Sequence, residues 1–320
     1  MDSGKRNALC KRTEISMKII YYEKYNIDVG IFKFLHPFDG CKFSKVRAAL
    51  HDADVMAPDA AISESAILGS VNELLKIQLK DKAALCRALE IPKIPFLSFS
   101  WLDSRILEPM RWGVAGTLAA SRLALTGTDA WNLAGGYHHA SPHKMEGFCI
   151  YNDIGISYQQ LLASGELTAT DRILIIDIDA HHGNGNARTF DDNNNVTLLD
   201  VYNQDIYPNT PVSRQRVDIP VPLPSGTGAE LYLNKLSGAL ELLTGGYKLA
   251  FVVAGTDVLA TDPLGGLKLS IADVAQSHKL VYKRLKALNI PTVFLGGGGY
   301  GKDSAAAIVA GIEAVAGDYK

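Results

Sequence analysis

Apolar and polar positions along the chain follow two periods. Short aliphatic and β-branched runs, too brief for ordinary helices, alternate with longer segments patterned at helical spacing. The short runs are residues 18–22, Trp131–Ala134, Arg172–Ile178, Val196–Val201, Leu249–Ala254 and Thr292–Leu295, and each predicts a buried strand. Helices are predicted near Ser44–His51, Val71–Leu89, Glu108–Leu125, Ile154–Ser164, Ala229–Leu243, Ile271–Leu288 and Ser304–Ala316. Loops fill the gaps at residues 56–64 and Pro92–Asp103, and a Pro-rich excursion runs from Tyr207 to Pro224. Repeated β-α-β with strands apolar on both faces implies a parallel sheet covered by helices on either side. The fold class is therefore α/β, in one domain over residues 17–320, since the Pro-rich loops are short enough to belong to it. Residues 1–16 are polar and basic and read as a flexible N-terminal extension.

Length and charge narrow the picture. A chain of 320 residues can bury a large core. Its net charge of −2 gives no bulk attraction to nucleic acid or to a membrane surface. Cys10, Cys41, Cys86 and Cys149 lie far apart without CxxC spacing. That argues against a disulfide framework or a cysteine zinc site, and for a reducing intracellular compartment, cytoplasmic or, in a eukaryote, nuclear. The sequon Asn195-Val196-Thr197 is then idle. No apolar run approaches the ~18 residues that span a bilayer, and residues 1–16 lack the apolar core of a secretory signal.

Candidate chemistry gathers where strands end. Beyond Ile178 come Asp179, His181 and His182, then Gly183-Asn184-Gly185, with Asp177 at the end of the strand itself. Carboxylates and imidazoles are costly to bury unpaired, so this cluster calls for a metal or a dense hydrogen-bond network. Asp179 and His181 point the same way while the chain stays extended, so one cation fits between them. For this segment alone, a polar cap on a buried strand accounts equally well for the pattern. The other strand ends change the balance. Trp131–Ala134 is followed by Gly135-Gly136-Tyr137-His138-His139, Leu249–Ala254 by Gly255-Thr256-Asp257, and Thr292–Leu295 by a glycine run and Tyr300. Parallel sheets bind ligands beyond the carboxyl ends of their strands. Converging there, these residues supply a third metal ligand (Asp257), a pair of imidazoles and an electrophilic hydroxyl. The stretch GGGGYGKD at 296–303 nearly matches a phosphate loop, but Asp303 stands where Ser or Thr would bind Mg²⁺, which argues against a nucleotide site.

The stretches NLAGGYHHASPHKMEGFCIYND (132–153), IDIDAHHGNG (176–185), AGTDVLATDPLGGL (254–267) and GGGGY (296–300) resemble the zinc-dependent histone deacetylases. HPFD (36–39) and LLDVYNQDIYP (198–208) are most similar to the class IV branch. The resemblance implies the arginase–deacetylase fold, a three-layer domain with a largely parallel, eight-stranded sheet. It also implies one Zn²⁺ held by Asp179, His181 and Asp257, with His138 and His139 as the imidazole pair and Tyr300 polarising the substrate carbonyl. Gly147 and Phe148 match the acyl-lysine channel, with Tyr207 as its opposite wall. Asp177 would orient His138 and, with Asp200, join a monovalent cation, usually potassium. Asn184 stands where class I enzymes carry a second Asp, and a neutral partner stabilises imidazolium less. Lys42 takes a place where many members have Arg near the acyl exit route, keeping the charge but losing the bidentate fork.

The residue types suit amide hydrolysis. Zinc can lower the pKa of bound water to about 7 and act as a Lewis acid, and a tyrosine hydroxyl can donate to a developing oxyanion. The expected activity is hydrolysis of N-acyl-lysine, acetyl or longer-chain, on a protein, with an acylated small amine such as an acetylpolyamine as the alternative substrate. A binuclear manganese ureohydrolase shares the fold but needs more bridging carboxylates than are present, and a silent binding module would not need the full residue set.

Overall fold

The computed structural model describes residues 17–27, 38–51, 53–92 and 98–317. The expected N-terminal extension and the first two residues of HPFD lie outside them. Eight strands form one sheet: β1 (Lys18–Ile20), β2 (Val55–Met56), β3 (Ala130–Asn132), β4 (Ile173–Asp177), β5 (Val196–Asn203), β6 (Ile219–Leu223), β7 (Leu249–Val253) and β8 (Thr292–Leu295). Their order is β2-β1-β3-β8-β7-β4-β5-β6 and every pairing is parallel. All carboxyl ends therefore open on one rim.

Alternation within the strands divides the core in two. Ile19, Trp131, Leu174, Ile176, Leu199, Val252 and Phe294 face one layer. Ile20, Ile173, Ile175, Leu198, Phe251, Val253 and Val293 face the other. Side chains two apart share a face in an extended chain, so a strand sandwiched between helices must be apolar at both parities. The first layer is built by α1 (Lys42–Ala49), α10 (Ala229–Glu241), α11 (Ile271–Ala287) and α12 (Ser304–Ala316). The second holds α2 (Glu64–Gly69), α3 (Glu73–Gln78), α4 (Lys82–Ala88), α5 (Phe99–Leu102), α6 (Glu108–Leu125) and α7 (Asp153–Ala163). Two short helices, α8 (Asn184–Thr189) and α9 (Pro211–Gln215), complete the rim. Among the described residues, no helix is long and apolar enough to cross a membrane.

Several segments differ from their sequence pattern, among them the loop expected over residues 56–64, which β2 and α2 enter from either end. The helix expected over Val71–Leu89 is two, because side chains cap new N-termini: Asn72 accepts from Leu75 N and Asp81 from Ala83 N, each at 2.8 Å. The Pro-rich excursion contains β6. Gln204 N donates to Leu223 O, so the odd-numbered residues bond to β5. Pro220 and Pro222 stand between them, exposed, where an N–H would face away from the sheet, which is where an edge strand tolerates proline. The loop expected before α6 holds α5 and a π turn over Asp103–Leu107, tied down by Arg111 forking onto Asp103 at 2.6 and 3.2 Å.

Candidate active site

The strands β3, β8, β7 and β4 are adjacent, so the four loops singled out in the sequence meet. Asp179 and His181 follow β4, and Asp257 follows β7. His181 Nδ1 lies 3.2 Å from Asp179 Oδ1 and 2.8 Å from Asp257 Oδ2. All three residues are buried, and one donor atom from each falls within 4.8 Å of the other two. Ligands held about 2.1 Å from a tetrahedral ion sit roughly 3.4 Å apart, so the set fits one small cation. Backbone donors fix the carboxylates: Gly298 N to Asp179 Oδ2 at 2.7 Å and Ala180 N to Asp257 Oδ1 at 2.8 Å. A Cβ on Gly298 would overlap both carboxylates, hence glycine there.

Electrostatics make the same point. Burial and the neighbouring Asp179 charge push Asp257 up to about 7. Burial opposes a charge on His181, yet Asp179 and Asp257 raise it to about 10. Two buried carboxylates thus compete for a single positive partner, which a divalent cation would neutralise together.

The imidazole pair is differentiated by its partners. His138 and His139 lie 4.1 Å apart between ring centroids. His138 Nδ1 is 2.8 Å from Asp177 Oδ2, and despite burial the charges of Asp177 and Asp179 raise His138 to about 9. His139 Nδ1 is instead 2.7 Å from Asn184 Oδ1. Burial and the neighbouring His138 and His181 hold His139 well below the ordinary histidine range. Their surroundings thus push the two rings in opposite directions, His138 toward the charged form and His139 toward the neutral one.

Tyr300 meets His181 edge-on, with ring centroids 6.5 Å apart. Burial, then the Asp257 and Asp179 charges, keep its phenol protonated far above its usual range. At the mouth, Phe148 packs on Tyr300 at 5.6 Å and Tyr207 on His139 at 5.2 Å. Gly147 sits between His139 and Tyr207 at a φ of 56°, and an added Cβ would lie 2.5 Å from the His139 ring. Phe148 keeps a φ of 66°, an uncommon value for a bulky residue, anchored by its N–H to Ala88 O at 3.0 Å.

Asp200 shares the register position of Asp177 on the neighbouring strand. Its Oδ2 lies 2.6 Å from His182 Nδ1 and accepts from Gly183 N at 3.0 Å, while its buried Oδ1 has no hydrogen-bond partner among the described residues. Lys42 is fully buried and donates to the carbonyls of Gly297 and Gly299 at 3.2 and 3.4 Å. Burial lowers its pKa to about 8.

All the residues selected from sequence lie on or beside this rim. Others are legible only in three dimensions. Asp262 accepts from Tyr300 N at 2.7 Å and Gly301 N at 2.9 Å, fixing the turn that carries the phenol. Asp153 accepts from Gly136 N and Tyr137 N at 2.9 and 2.8 Å, fixing the turn before the histidines. An acidic residue near glycines was visible in each case, but the loop it would bind was not.

Residues 71–315 match the histone deacetylase domain. Over 306 residues the chain is 35% identical to Histone deacetylase 2 of Arabidopsis thaliana, spanning 93% of this chain and 78% of that one. It is 31% identical over 275 residues to an uncharacterized protein of Picosynechococcus, spanning 84% of this chain and 88% of that one. The fold matches the crystal structure of an HDAC homolog complexed with SAHA, with a TM-score of 0.72 at 22% identity, across 95% of this chain and 85% of the other. With its rim of converging loops and this likeness along nearly its whole length, the chain belongs to the histone deacetylase family, hydrolases of the amidohydrolase type.

Proposed function

We propose that the protein hydrolyses the amide of N-acyl-lysine with one Zn²⁺ held by Asp179, His181 and Asp257. The observation that carries this reading is the compact O,O,N donor set faced by a protonated phenol. Three protein ligands leave a position free for water or substrate, the arrangement of a catalytic rather than a structural zinc site. When bound, zinc supplies Lewis acidity and lowers the pKa of water. His139, neutral and with Nδ1 engaged by Asn184, offers Nε2 to take the proton of the attacking water and return one to the leaving amine. His138, kept cationic by Asp177, stabilises negative charge developing nearby. Tyr300 donates to the oxyanion. Gly147, Phe148 and Tyr207 form the walls that admit an extended acyl-lysine side chain. The partnerless Oδ1 of Asp200 beside Asp177 supports a monovalent cation, K⁺, under the β4–β5 rim.

The test is metal analysis of the purified protein together with turnover of an acetyl-lysine peptide, a myristoyl-lysine peptide and acetylputrescine. One zinc per chain and cleavage of an acyl-lysine peptide are expected. Turnover of the polyamine alone would remove the protein-deacylase reading, and two manganese per chain would replace it with ureohydrolase chemistry.

A further inference from the structure

The neutral Asn184 beside His139 is not the end of its hydrogen-bond chain. Asn184 is fully buried, and its Nδ2 donates to Glu146 Oε1 at 3.0 Å. The same Oε1 accepts from Arg188 Nη1, and Oε2 accepts from Lys144 Nζ at 2.6 Å. Glu146 also faces the channel wall: after burial, its charge is the main influence raising the Tyr207 phenol. Burial opposes ionisation of Glu146, yet Lys144 and Arg188 hold its carboxyl below the usual range.

The chemistry of these groups leaves one arrangement. An ionised carboxylate only accepts, so Asn184 must turn its NH₂ toward Glu146. Its carbonyl then faces His139, whose Nδ1 must carry the proton, and the lone pair is left on Nε2. An amide alone has no such preference, since either of its ends can meet an imidazole nitrogen. We propose that Glu146 is a positioning residue: a fixed anion that orients the Asn184 amide and through it sets the His139 tautomer needed for proton abstraction. The charge that an aspartate at position 184 would place against the imidazole is moved one residue outward, and Arg188 anchors it there.

The role in turnover rests on the hydrolase reading, and the tests separate the two. Kinetics on the acetyl-lysine peptide would compare wild type, Glu146→Gln, Asn184→Asp and the double variant, with zinc content and melting temperature as checks on folding. Glu146→Gln should lower kcat by about fivefold or more, with KM within about twofold. In the Asn184→Asp background the sign should reverse. There the Glu146 carboxylate repels the new one, whereas the amide that Glu146→Gln introduces donates to it, so the second substitution should raise kcat. An equal effect in both backgrounds, or none in either, overturns the proposal. If wild type cleaves no acyl-lysine, the acyl-lysine reading fails while the relay remains testable by ¹⁵N NMR of the zinc-free protein. His139 should be Nδ1-protonated in wild type and mixed in Glu146→Leu. One tautomer in both would refute the relay.

Discussion

At the scale of single residues, burial combined with one or two partners decides each group's state. Tyr300 has burial and two carboxylates keeping its proton on, so Tyr300→Phe should retain zinc and fold while lowering kcat about 10²–10³-fold, the loss typical of an oxyanion donor. Full activity in that variant would remove the phenol from the mechanism. Far from the rim, His278 on α11 is buried between Trp131, 5.4 Å away, and Phe294, with neither ring nitrogen hydrogen-bonded among the described residues. Desolvation lowers its pKa to about 3. Below about pH 6.5 the unfolded chain binds a proton that the folded chain refuses, so this stability is intact above about 6.5 and is lost as pH falls toward about 3. Urea unfolding should show wild type losing about 1 kcal/mol more than His278→Leu between about pH 7 and 5.5. Equal losses would mean the imidazole is accessible to protons.

At the scale of elements, α11 and α12 press together where Gly311 meets His278, and a Cβ at 311 would overlap the imidazole Nδ1. Gly311→Ala gains helix propensity but overpacks this contact, for a net cost of about 1–2 kcal/mol in denaturant midpoint experiments. The cost should shrink in a His278→Ala background; persistence there would locate the strain elsewhere. Elements with a single strong pattern were legible from sequence. Strands such as β4 and β7 are apolar at both parities because both faces are covered, and long helices such as α6 and α11 carry unbroken periodicity. What sequence concealed depends on partners distant along the chain. Pro220 and Pro222 argue against a strand until β5 is seen to occupy only one side of it. The break after α3 lies in Asp81, one polar residue among many. Asp179, His181, Asp257 and Tyr300 were readable because each sits next to a strand end. Glu146 was not, since its partner Asn184 is 38 residues away, at the start of α8.

At the scale of the whole molecule, the proposed metal gathers donors from the loops after β4 and β7, and Asp179 is also held by Gly298 beyond β8. A zinc ion bound only by the folded chain adds RT ln(1 + [L]/Kd), about 4 kcal/mol at a thousandfold excess over Kd. Chelation should therefore lower the melting temperature of wild type, reversibly on zinc addition, and abolish turnover. Asp179→Asn should melt at one temperature with or without zinc. A chelator-insensitive wild type would show that the carboxylates are satisfied without a metal.

The outermost strands carry a consequence of their own. One border of the sheet is the two-residue β2, too short to template another chain. The other is β6, where the two prolines delete outward donors from a row that a visiting strand would need. Among the described residues, neither side invites continuation of the ladder by a second molecule, which directs any assembly toward the helical faces or the loops.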